Sequence, residues 1–256
     1  TFFTAEYHVI GEDQKLTKLP LQESAKLKGF YKGNILISLR EAWTTNGTTH
    51  PQGALLAFSA DEFAKTGKLP GLKSIYNPDA QTSIQGVSES KSGLFVSMIE
   101  DVKGKVLRFD VDAAGKWTSS PVPLPTTGSV SVASATPFDT TVFFNYEDHI
   151  TPDRLFEYDT VANKLTVLKT LPGRFDSTGL AVHQHFVKSK DGEKIPYFVI
   201  HRKDIPLTNS TPTILYGYGG FEISLTPRYS AASGKLWLER GGAYTISNIR
   251  GGGEYG

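Results

Sequence analysis

The residues best suited to chemistry lie in Tyr216-Gly217-Tyr218-Gly219-Gly220-Phe221, where three glycines separate two phenols and a phenyl ring. Glycine lets backbone and neighbouring side chains approach a ligand closely. A phenol, with a pKa of about 10, stays protonated at neutral pH and donates a hydrogen bond without a charge to desolvate. Tyr218 in such a loop suits the stabilisation of an oxyanion formed in acyl transfer. On these residues alone, a core tyrosine with a locally satisfied hydroxyl is the better explanation of the position. Tyr216, two residues earlier, is expected to pack.

The elements around the loop must hold it. Thr213 to Gly217 reads as a short apolar strand entering the glycines. Ser230 to Arg240 carries helix formers and stops at Gly241-Gly242, a helix C-terminal signal. Ala243 to Ile249 reads as a buried strand that ends at Gly251-Gly252-Gly253. This order of strand, glycine loop, helix and strand is that of the opening of an α/β-hydrolase sheet, whose corresponding loop supplies part of the oxyanion hole. The hairpin signal Asp191-Gly192, between Phe186-Val187 and Tyr197 to Ile200, adds two antiparallel strands ahead of it.

Three motifs carry a resemblance: Tyr216 to Phe221, Thr226-Pro227-Arg228-Tyr229-Ser230, and Asn248-Ile249-Arg250-Gly251-Gly252-Gly253-Glu254-Tyr255-Gly256. Together they resemble the prolyl oligopeptidase family of serine peptidases. Basic-residue-specific relatives resemble Tyr-Gly-Ser-Tyr-Gly in the loop, so Gly219-Gly220-Phe221 points to the proline-specific branch. The resemblance implies that Tyr218 is the phenol that donates to the tetrahedral intermediate and that Phe221 lines the pocket for the substrate's proline. An aromatic face is a suitable wall for that flat apolar ring. Arg250 and Glu254 are expected to fix the turn and not to be catalytic. In family order the nucleophilic serine, the aspartate and the histidine lie beyond Gly256. No Gly-x-Ser-x-Gly elbow occurs, Gly128-Ser129-Val130-Ser131-Val132 lacking the second glycine. Both ends read as cut, and this stretch alone is expected to be inactive.

The earlier part of the chain repeats. Apolar strands begin at Ile35, Leu94 and Thr141, at spacings of 59 and 47 residues, and partner strands begin at Leu55, Val106 and Leu155, at spacings of 51 and 49. Third strands follow at Leu72 to Tyr76, Trp117 to Leu124 and Leu165 to Leu171, and Glu6 to Leu21 reads as the end of an earlier unit. A helix-free unit of about 50 residues with three or four strands is the signature of a β-propeller blade. A β-sandwich is the alternative. The expected fold is therefore a partial β-propeller, about three blades plus a remnant, followed by the N-terminal part of an α/β-hydrolase domain. The boundary falls near Pro172 to Asp176, giving residues 1–176 and 177–256. By the resemblance, the propeller is a lid that limits access to peptides.

Composition bounds the remaining possibilities. With 27 basic and 26 acidic residues, a net charge of +1 and 39% hydrophobic residues, the chain has a core but no basic field for nucleic acid. Cysteine is absent, so disulfides and thiolate metal sites are excluded while the compartment, cytoplasmic or periplasmic, stays open. No apolar run approaches the roughly 20 residues of a membrane helix, and no signal peptide is read in this stretch. Gly251 to Gly256 satisfies a dinucleotide-binding pattern but lacks the preceding βαβ unit. His183 and His185 share one face of an extended segment, with no third metal ligand evident nearby, and His149 is expected to be solvated in a blade loop. The expected protein is a monomeric serine peptidase acting on short proline-containing peptides, with no cofactor, metal, nucleic acid or membrane. An esterase or oligopeptidase of other specificity, or a non-catalytic propeller binding protein, stays open as the alternative.

Overall fold

The computed structural model describes residues 4–11 and 14–255. A hairpin, β1 (His8–Ile10) and β2 (Leu16–Lys18), occupies the segment expected to end an earlier unit. Three four-stranded antiparallel sheets follow. The first contains β3 (Lys26–Tyr31), β4 (Asn34–Ser38), β7 (Leu55–Ser59) and β8 (Lys73–Tyr76), with a hairpin of β5 (Trp43–Thr45) and β6 (Thr48–His50) inserted. The second contains β9 (Thr82–Ser90), β10 (Gly93–Glu100), β11 (Lys103–Val111) and β12 (Trp117–Pro121). The third contains β13 (Ser129–Ser134), β14 (Thr141–Glu147), β15 (Arg154–Asp159) and β16 (Lys164–Thr170). Each is a meander in which neighbours in the chain pair in space, the topology expected of a blade.

Two features of the blades depart from expectation. The first sheet contains a helix, α1 (Ala60–Thr66), where none was expected. Ser59 caps it by accepting from the Glu62 amide, Gly67 ends it in the left-handed region, and Phe63 is buried beneath it. The fourth strand of each sheet, β3, β9 or β13, lacked a clear apolar run because it is partly open to solvent on one face.

The sheets stack through their apolar faces. Leu36, Leu55 and Ala57 of the first sheet meet Leu94, Val96 and Met98 of the second. Phe95, from the opposite face of β10, meets Phe144 and Tyr158 of the third, edge-on to Tyr158 at a centroid distance of 6.2 Å. Strand β10 is covered on both faces, which is why it reads as a nearly continuous apolar run.

Beyond Phe175 the pattern changes. Strands β17 (Leu180–Lys188) and β18 (Lys194–Arg202) form the hairpin marked by Asp191-Gly192, and β20 (Ala243–Ser247) pairs antiparallel with β18 and parallel with β19 (Thr213–Gly217). Helix α2 (Ala231–Leu236), capped by Ser230, and a single helical turn at Leu238–Arg240 lie between β19 and β20. The helix is thus broken at Trp237, and β20 is half-buried and ends two residues before Ile249. Strand β19 is the edge of this sheet, with Leu215 at 70% exposure and Tyr216 half-exposed, so the packing expected of Tyr216 is only partial.

The fourth sheet is fixed against the second and third. Val102, at the turn between β10 and β11, is buried among Phe175, Leu180, Phe198, Ile200 and Leu238. Phe175 also stacks on Tyr229 at 4.9 Å and covers Gly234 so closely that no Cβ fits there.

Candidate functional site

The loop after β19 is held by a second glycine segment. A Cβ on Gly219 would overlap the Arg250 carbonyl oxygen, and one on Gly251 would overlap the Gly219 carbonyl, so the two backbones touch where side chains are absent. The Glu222 amide donates to Gly251 O at 3.0 Å. Behind this contact, the buried Glu254 carboxylate accepts from the Leu225 amide at 2.8 Å and from Asn248 Nδ2 at 3.0 Å. Glu254 therefore fixes the segment that follows the loop. Arg250 reaches back to Asp191 at 2.7 Å and holds that carboxyl far below its ordinary range.

Within this frame, Tyr218 folds over Gly220. A Cβ at Gly220 would lie 3.0 Å from the phenol oxygen, so glycine there gives the ring its place. The hydroxyl has no protein partner among the described residues, and Tyr218 is 37% exposed. Phe221 follows at 79% exposure, and both Phe221 and Glu222 have φ of 56°. Two consecutive non-glycine residues in the left-handed region hold the phenyl ring away from the protein. The structure thus brings Tyr218 and Phe221 to one exposed loop, a donor beside an apolar ring.

The comparisons with known proteins bear on this geometry. Residues 42–170 match the family model described as prolyl oligopeptidase, N-terminal beta-propeller domain. The chain belongs to the prolyl oligopeptidase family. The match spans the second and third meander sheets and the later strands of the first. An uncharacterized peptidase of Sinorhizobium fredii is 38% identical over 95% of this chain and 34% of its own length. The prolyl endopeptidase of Elizabethkingia meningoseptica is 32% identical over 71% of this chain and 26% of its own. Among solved structures, a post-proline cleaving enzyme from Rickettsia typhi matches all of this chain and 37% of its own, with a TM-score of 0.87 and 27% identity. The chain spans about a third of the length of the relatives it matches.

Several residues near the loop were not evident from motif. Arg40 extends from the first sheet and binds both carboxylate oxygens of Glu222, donating from Nη1 at 2.9 Å and also from Nη2. Ser129 donates to Pro227 O at 2.5 Å, and Glu147 accepts from the Tyr229 amide at 2.8 Å. Burial raises the Glu147 carboxyl above its ordinary pKa. None of these pairings has a local sequence signal, since the partners are 82 to 182 residues apart.

The histidines correct one expectation. His149 is buried, 6% exposed, with its ring 5.0 Å from Phe198 and its Nε2 unpartnered among the described residues. It is not solvated, because the fourth sheet closes over its loop. His183 and His185 do share an exposed face, and the structure adds His201 from β18, 5.4 Å from His183. The His183 and His201 rings stack while those of His183 and His185 are tilted, and no metal-binding cluster forms among the described residues.

Proposed function

We propose that this chain comprises propeller blades, residues 1–176, and the opening of an α/β-hydrolase domain, residues 177–256, of a serine-type endopeptidase or oligopeptidase. The full enzyme cleaves short peptides on the carboxyl side of proline through an acyl-enzyme. Tyr218 donates its phenol hydrogen to the oxyanion, and Phe221 forms a wall of the proline pocket. The nucleophile, base and orienting carboxylate are supplied outside these 256 residues. The propeller limits access to short peptides, and the reaction needs no metal or organic cofactor.

The observation that carries this reading is the Tyr218 hydroxyl, unpartnered and placed over Gly220 beside an outward-facing phenyl ring. A tyrosine kept for packing would have its ring covered or its hydroxyl satisfied. The mixed order of the fourth sheet, an antiparallel hairpin followed by a parallel pair joined through a helix, supports the domain assignment. The names of the relatives support a peptidase.

The test is Tyr218→Phe in the full-length protein, assayed on proline-containing peptides with the cleavage position read by mass. Loss of one oxyanion donor is expected to lower kcat about 100- to 1,000-fold with little change in KM. Wild-type cleavage that does not follow proline, or a variant within a few-fold of wild type, would overturn the reading.

A further inference from the structure

A cavity of 610 Å³ opens beside Glu222, between the first two sheets and the glycine segment at Gly253. Its size is within the roughly 300–1,000 Å³ of small-ligand sites. Its walls bring together three cations, Lys26, Lys28 and Arg40, two carboxylates, Asp79 and Glu222, and the amide of Gln85. Lys28 reaches the wall through a β-bulge: β3 shifts register against β4 between Leu27 and Gly29, leaving Lys28 as the extra residue. Gln85 is the extra residue of the corresponding bulge in β9, between Ile84 and Gly86. A bulge re-aims a side chain and interrupts the ladder, and such features recur next to functional sites.

The charges in this cavity are unequally matched. Arg40 is satisfied by Glu222. Lys26 and Lys28 have no carboxylate at ion-pair distance among the described residues. Lys28 is half-buried, and burial followed by the neighbouring Lys26 lowers its pKa. The half-buried Lys28 ammonium, with the exposed Lys26 two residues away on the same strand, is costly there without an anion.

We infer that this cavity is a carboxylate-binding subsite, in which Lys26 and Lys28 receive a carboxylate of a peptide whose proline lies against Phe221. This rests on the proposed function for the identity of the ligand, since Phe221 directly precedes Glu222, which lines the cavity. The carboxylate is either the free C-terminus or an acidic side chain. A free C-terminus would favour short peptides by chemistry as well as by access.

The experiment uses the full-length protein and three peptides of one proline-containing sequence: the free acid, the C-terminal amide, and the amide with a glutamate near its end. Proline-free versions of all three are titrated by calorimetry, so that binding is read apart from cleavage. A charge-assisted contact at a partly exposed wall is expected to favour the carboxylate-bearing peptides about ten-fold in kcat/KM and in affinity. Preference for the free acid alone would assign the C-terminus, and preference for both carboxylates would admit side chains. Lys28→Met is expected to remove the preference and leave the plain amide unchanged, while Lys28→Arg retains it. Equal treatment of all three peptides by wild type, or an undiminished preference in Lys28→Met, would overturn the inference. If no peptide is cleaved after proline but calorimetry shows the preference and its loss in Lys28→Met, the proposed function fails and the subsite stands.

Discussion

His149 makes the junction between the third and fourth sheets sensitive to acid. Its imidazole is buried against Phe198, and burial lowers its pKa from 6.5 to about 4, outweighing the Asp148 carboxylate and a hydrogen bond to the Arg228 backbone. A histidine with a depressed pKa is neutral in the folded chain and takes up a proton more readily when unfolded. Its contribution is therefore fully present above pH 6.5 and is lost as pH falls from there towards 4. Linkage over that interval gives a loss of about 2 kcal/mol between pH 8 and pH 5, approaching about 3 kcal/mol near pH 4. The assay is urea unfolding of wild type and His149→Gln at steps from pH 8 to pH 4. The neighbouring Glu147 and Asp148 are present in both proteins, so the difference between the two profiles isolates the imidazole. The difference is expected to move in the variant's favour as pH falls, with most of the change between pH 6.5 and 4.5. Parallel profiles would refute the argument, because they would mean that the buried ring carries no proton cost.

Phe95→Ala is expected to destabilise the chain by about 3–5 kcal/mol, since the ring is fully buried and touches Phe144 and Tyr158 across the interface between the second and third sheets; a loss below about 1 kcal/mol in urea unfolding would contradict this packing. Gly219→Ala places a methyl group against the Arg250 carbonyl and is expected to cost about 1–3 kcal/mol. Gly220→Ala meets only the movable Tyr218 phenol and should cost less, so equal losses in the two variants would show that the backbones do not meet at Gly219.

The sequence by itself determined the periodic features. Strands covered on both faces, such as β10, read as apolar runs at near-equal spacing, and turn chemistry marked the hairpin at Asp191-Gly192. The glycine motifs were legible because close backbone contact excludes side chains at Gly219 and Gly251, a constraint written one residue at a time. The family was legible from the same motifs. The helix α1 was not, because its only core residue is Phe63 and its ends are set by a cap and a glycine. The edge strands β3, β9 and β13 were missed because a partly solvated strand needs few apolar residues.

Tertiary structure alone decided the surroundings of the loop. Arg40 meets Glu222, and Lys28 faces the same cavity, only because the loop after β4 is brought against the segment that follows the glycine loop; no local pattern encodes a contact across 182 residues. His149 shows the same limit from the other side. Its acidic neighbours Glu147 and Asp148 suggest a solvated loop, yet the fourth sheet covers it, and burial rather than neighbouring charge sets its protonation.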